Sequence, residues 1–281
     1  DETADEDASN AILKRELELK ESKLLRNTGV QMTSMIKFHA YEDILVACGS
    51  EHGVSVWDTE KGTRAVSFIN GNPKGSRMTT AMWLNEASTS LFLVGCDDGS
   101  ARIWDDIVEN NGEASRKPPN LVSAFFAAPD MVAGARGKSG LVCEWQQYSG
   151  TLVAGGNSRY LRCWNLEAEK CGTVLETDSD ACITTLASAW DSESLGTTEP
   201  KGSPGFGPHI LVGGHSDGSL KVFDIRSNRV ALEAQSGAKS WTKRRRPTKF
   251  TEHSSWIVNT TFTGYGARYE VVSGSVAGDI K

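Results

Sequence analysis

No stretch of this 281-residue chain supplies the ~20 consecutive apolar residues that a membrane-spanning helix needs. The first residues, Asp1-Glu2-Thr3-Ala4-Asp5-Glu6-Asp7, have neither the basic flank nor the apolar run of a secretory leader. They also lack an initiator methionine, as expected of a piece of a longer protein. A basic excess is missing. The net charge is −6, five acidic residues among the first seven supply −5 of it, and the body sits near −1. That balance excludes a globally basic nucleic-acid binder. The six cysteines, Cys48, Cys96, Cys143, Cys163, Cys171 and Cys182, form no C-x-x-C pair, and several lie in apolar runs. They are read as small hydrophobes of a reduced, intracellular protein rather than as disulfide or zinc ligands. The five histidines, His39, His52, His209, His215 and His253, show no metal-ligand spacing. No G-x-S-x-G nucleophile elbow occurs. Gly137-Lys138-Ser139 imitates the end of a phosphate loop, but Val132 stands where the leading glycine belongs. A β-like run, Leu141–Gln146, follows where a helix would have to begin. Neither an enzyme activity nor a cofactor is expected.

What the chain has instead is glycine and a repeat. Its 28 glycines, about 10% of residues against the usual ~7%, suit a fold with many tight turns. Three segments carry a short apolar run from a turn into a tryptophan: Gly53–Asp58, Asp97–Asp105 and Asn157–Asn165. A fourth, Ser216–Asp224, keeps the turn and replaces the indole by Phe223. Trp57, Trp104, Trp164 and Phe223 stand 47, 60 and 59 residues apart. That period, with Trp-Asp closing a strand, predicts propeller blades of about 40–45 residues plus insertions. Repeat arrays of this kind present surfaces to partners.

Residues 1–9 are read as a disordered acidic tail and 10–31 as a helix and linker. Asn10 is the N-cap, and Leu13, Leu17 and Leu24 form one stripe. From 32 to 281 short β-branched runs alternate with Gly/Asp/Ser/Asn turns, the all-β pattern. Four blades are predicted: Thr33–Phe38, Ile44–Cys48, Val54–Trp57 and Ala65–Ile69; Thr80–Leu84, Leu91–Gly95, Ala101–Trp104 and Leu121–Phe126; Leu141–Gln146, Thr151–Ala154, Tyr160–Trp164 and Thr173–Glu176; Cys182–Ala187, Ile210–Gly213, Leu220–Phe223 and Val230–Ala234. A fifth opens with Trp256–Phe262 and Glu270–Ser273 and is truncated, because aligning Gly278 with Gly99 puts its aromatic beyond Lys281. Insertions are expected at 106–120, 191–208 and 236–250.

The tryptophans are expected on inner strands, filling the space between adjacent blades. Asp97, Asp98 and Asp217 belong to turns, where Asp and Gly satisfy backbone donors and allow positive φ. His253 precedes a blade's first strand and is expected to hydrogen-bond inward. The sequon Asn259-Thr260-Thr261 is taken as incidental. One charged feature stands out: Lys243, Arg244, Arg245 and Arg246, followed by Pro247. It is read as a solvated loop, with an acidic partner, an anionic membrane surface or a nuclear-import tag as the alternatives.

Six runs carry a family resemblance: Phe38–Ile44, Trp57–Gly62, Asn70-Gly71-Asn72-Pro73, Thr80–Asn85, Trp145–Gly150 and Glu252–Val258. They resemble the C-terminal propeller of the Raptor family, the regulatory subunits of target-of-rapamycin complex 1, over roughly residues 24–281. The Asn-Gly-Asn-Pro element and the third blade with Trp145 are the most specific of them, and the long insertions suggest a fungal-type sequence. The resemblance implies a propeller of seven blades, about five of them represented here. It further implies a non-catalytic scaffold that supports assembly with the target-of-rapamycin kinase and its complex partners, and presents substrates in nutrient-regulated growth signalling. It implies a cytoplasmic location, with the lysosomal or vacuolar surface reached through partners, and neither nucleic acid nor transmembrane association. The rival reading is a WD-repeat adaptor of another pathway, a ubiquitin-ligase substrate receptor or a phosphoinositide-binding propeller. The latter is disfavoured because no F/L-R-R-G occurs.

Overall fold

The structure, a computed structural model, describes residues 24–25, 32–107, 118–133, 139–147, 149–188, 210–225, 229–233, 253–265 and 268–281. Strands in sequence order are β1 (Thr33–Phe38), β2 (Ile44–Gly49), β3 (Gly53–Asp58), β4 (Thr63–Ile69), β5 (Met78–Leu84), β6 (Leu91–Cys96), β7 (Ser100–Asp105), β8 (Asn120–Phe126) and β9 (Leu141–Gln146). They continue as β10 (Thr151–Gly156), β11 (Tyr160–Asn165), β12 (Lys170–Glu176), β13 (Ile183–Ser188), β14 (Ile210–His215), β15 (Leu220–Asp224), β16 (Arg229–Glu233), β17 (Ile257–Tyr265) and β18 (Arg268–Ser275). Each run of four consecutive strands is one antiparallel sheet in sequence order, and β17 and β18 pair as a fifth. Of residues 1–31, the expected tail, helix and linker, only Leu24 and Leu25 are described, neither of them helical, and most of the insertions also lie outside the described residues.

First strands of successive sheets lie side by side, β1 by β5, β5 by β9, β9 by β13 and β13 by β17. Fourth strands are therefore outermost, which is the radial plan of a β-propeller. Core burial follows that plan. Four separate apolar clusters lie one at each sheet-to-sheet interface. The first joins Val46 and Val56 to Phe92 and Trp104, the second Leu93 to Leu152, the third Leu161 to Phe223, the fourth Val212 to Ile257. Fully burying one such side chain contributes about 1.5–3 kcal/mol.

The repeated aromatics seal these interfaces. Trp104 sits in the first cluster and Phe223 in the third, while Trp164 packs on the second. Trp104 tilts against Phe68 of the preceding sheet at 4.7 Å between centroids, and Trp164 against Phe125 at 5.0 Å. They stand on third strands, β7 and β11, where the predicted blades had them, between the first strands nearest the shared axis and the outer fourth strands. Trp57, on β3, is buried too but belongs to none of the four clusters.

The turns repeat as faithfully. Asp98 Oδ1 accepts from Ser100 N at 3.0 Å and Ser100 Oγ at 2.7 Å, and Asp217 Oδ1 accepts from Ser219 N at 3.1 Å and Ser219 Oγ at 2.6 Å. The glycines that follow, Gly99 (φ 81°) and Gly218 (φ 82°), are left-handed. Their carbonyls accept from Ala128 N and His253 N, the chain entering the next blade, at 3.1 Å each.

Candidate partner-binding surface

Inter-blade side-chain bonds run along the first strands and the turns that leave them. Ala40 N donates to Glu86 Oε1 (2.9 Å), joining sheets one and two. Asn85 and Gln147 make a two-way pair between sheets two and three: Asn85 N donates to Gln147 Oε1 (3.0 Å) and Gln147 Nε2 donates to Asn85 Oδ1 (2.9 Å). Trp145 Nε1 adds a bond to the same Oε1 at 2.8 Å. Glu144 accepts from Ser188 N (2.8 Å) and Oγ (2.9 Å) across sheets three and four. Thr185 and Thr260 share a hydroxyl bond of 3.2 Å across sheets four and five. The first strands thus form a continuous wall around an open cleft of about 730 Å³, lined among others by Lys37, Thr80, Glu144, Trp145, Thr184 and Asn259. Its one-sided mixture of hydroxyls, amides and indole suits polypeptide contact more than proton transfer. Glu144, one of the two carboxylates that line it, accepts from both Ser188 N and Ser188 Oγ. Asn259, the sequon asparagine, is on this wall, and the intervening Thr260 is buried.

His253 Nδ1 bonds Asp279 Oδ2 at 2.7 Å, and its Nε2 bonds Ser273 Oγ at 2.8 Å. The order Ser-His-Asp imitates a hydrolase triad, but His253 and Ser273 are each 1% exposed, so no substrate reaches the hydroxyl. This arrangement ties the segment entering sheet five to β18 and its turn. The bond from Ser275 Oγ, then the one from His253, holds the Asp279 carboxyl below its ordinary range. The inward bonding expected of His253 is what the structure shows.

The neighbouring acids Asp97 and Asp98 do separate structural work. Asp97, 2% exposed, accepts from Ser76 Oγ (3.0 Å), Arg77 N (2.9 Å) and Arg77 Nε (3.2 Å). Asn70-Gly71-Asn72-Pro73, singled out in the sequence, is a polar knot between sheets one and two. Asn70 Oδ1 accepts from Trp104 Nε1 (3.0 Å), and Asn72 Nδ2 donates to Glu51 O (2.9 Å) and Ser76 O (2.8 Å). One buried cation escaped the sequence reading. Lys221, 4% exposed on β15, donates to the carbonyls of Thr177 (3.2 Å) and Asp178 (2.8 Å) in the chain between sheets three and four. Its place two residues after Ser219 and one before an apolar strand residue, equivalent to Arg102 and Arg162, was the available signal.

Of the predicted basic site, Lys243, Arg244, Arg245 and Arg246 lie outside the described residues. Ser139, the last residue of the phosphate-loop imitation, donates to Ile183 O at 2.6 Å and precedes strand β9. No group of three or more His, Cys, Asp or Glu with metal-site geometry occurs among the described residues.

Comparison with known proteins agrees with this architecture. The family "WD domain, G-beta repeat" matches residues 64–105, from β4 through β7. "Target of rapamycin complex 1 subunit mip1" of Schizosaccharomyces pombe is 30% identical over 246 residues, 88% of this chain and 16% of that protein. "Target of rapamycin complex 1 subunit KOG1" of Saccharomyces cerevisiae is 29% identical over 204 residues, 73% of this chain and 12% of that protein. "Protein raptor homolog" of Dictyostelium discoideum is 28% identical over 89% of this chain and 15% of its own length. Among solved structures, Chaetomium thermophilum Raptor superposes with a TM-score of 0.65 at 25% identity, over 90% of this chain and 20% of that one. The chain therefore spans about a sixth of the curated relatives it matches. The resemblance to Raptor-type proteins, along their WD-repeat region, holds in sequence and in fold.

Proposed function

We propose that residues 32–281 are a non-catalytic scaffold region of a Raptor-type subunit. It supports assembly with the target-of-rapamycin kinase and presentation of substrates in nutrient-regulated growth signalling. The observation that carries the reading is the alignment of nearly nine-tenths of the chain with a target-of-rapamycin complex 1 subunit. The structure supplies a physical reason. Among the described residues, Glu144 bonds Ser188 across two blades, His253 bonds Ser273 and Asp279, and Asp97 bonds Ser76 and Arg77, so these groups serve the scaffold and leave its surface and turns for partners. The proposed site of action is the cytoplasm, with the vacuolar or lysosomal surface reached through partners. Affinity purification of the full-length protein followed by mass spectrometry tests this. Recovery of the kinase, lost on deletion of residues 32–281, is the expected result. Recovery of a cullin adaptor or a coat complex without the kinase overturns it. Within this reading the basic run Lys243–Arg246 contacts an acidic partner. Replacing Arg244, Arg245 and Arg246 by Ser is then expected to weaken that association and flatten its salt dependence.

A further inference from the structure

We draw no further inference here: the strongest candidate, the open cleft of about 730 Å³ walled by the first strands of the five sheets, carries nothing, because nothing in the structure shows what covers it.

Discussion

The glycine of the blade turn shows how one residue sets a repeat. A Cβ built on Gly99 would stand 2.0 Å from Ala128 O, and one on Gly218 2.0 Å from His253 O, while Gly150 (φ 59°) faces open space. Gly218→Ala combines left-handed strain, about 1–2 kcal/mol, with a backbone collision that only separation of two blades relieves. Its cost is expected to exceed 3 kcal/mol, an order-of-magnitude figure, against about 1 kcal/mol for Gly150→Ala. Urea denaturation of the two variants in parallel checks the contrast, and equal costs would sink the argument. Histidine 215 gives a second prediction at this scale. It is 0% exposed, and burial, then the nearby Lys221 charge, pushes its pKa from 6.5 down to about 4. The unfolded chain therefore takes up the proton first as pH falls. Stability is full above about pH 6.5 and declines toward pH 4, by up to about 3 kcal/mol in all. His215→Leu is expected to flatten that part of the stability–pH curve. A third prediction concerns thiols. Burial raises Cys48 to about 12, Cys96 to about 11 and Cys163 to about 12, and Cys143 higher still. A thiol-specific alkylating agent at neutral pH is expected to label Cys171, the exposed one, well before these four.

Strand and turn were legible because each is written in a few neighbouring residues. Alternation of β-branched residues placed β1 and β9 to the residue, and Asp-Gly-Ser located the turns of sheets two and four. The starts of outer strands were read late. β4 begins at Thr63 and β12 at Lys170, ahead of the expected Ala65 and Thr173, because a bulge residue and a charged edge break the period-two pattern there. Contacts between sheets were not legible, since they join residues that nothing in the local sequence links. Asn70-Gly71-Asn72-Pro73 stood out as a motif, yet its use as the acceptor for Trp104, 34 positions on, follows only from the radial packing. Asn70→Ala would strand the indole N–H of Trp104, a residue 8% exposed, and remove the donor to Asn72 Oδ1. A loss of about 1–3 kcal/mol is expected. Asn70→Asp, which keeps an acceptor for Trp104, is expected to lose less, and thermal unfolding of the pair decides. If both lose the same, the knot acts through loop conformation rather than through this bond.

Stability of the whole array is a sum over neighbours, because its apolar core is divided among the interfaces between sheets rather than gathered in one place. Among the described residues each inner sheet is sandwiched, but the outer faces of the first and fifth are not. Ile36 and Phe38 on β1 are 56% and 65% exposed, and Val258, Val276 and Ile280 at the other end are 57%, 65% and 76% exposed. Side chains of this kind on sheet faces are ordinarily covered by another blade, and uncovered they present the apolar patches that drive association. Expressed alone, residues 1–281 are therefore expected to bind a hydrophobic dye and to sediment with a mass that rises with concentration. The same residues within the full-length protein are expected to do neither. Replacing Ile36 and Phe38 together by Thr should lower dye binding by the isolated fragment, since it removes one open face without touching the four inner interfaces. A monomeric fragment with a single sharp unfolding transition would show that two open faces cost this array little. Its cooperativity would then lie wholly in the bonds between first strands and in the glycine turns.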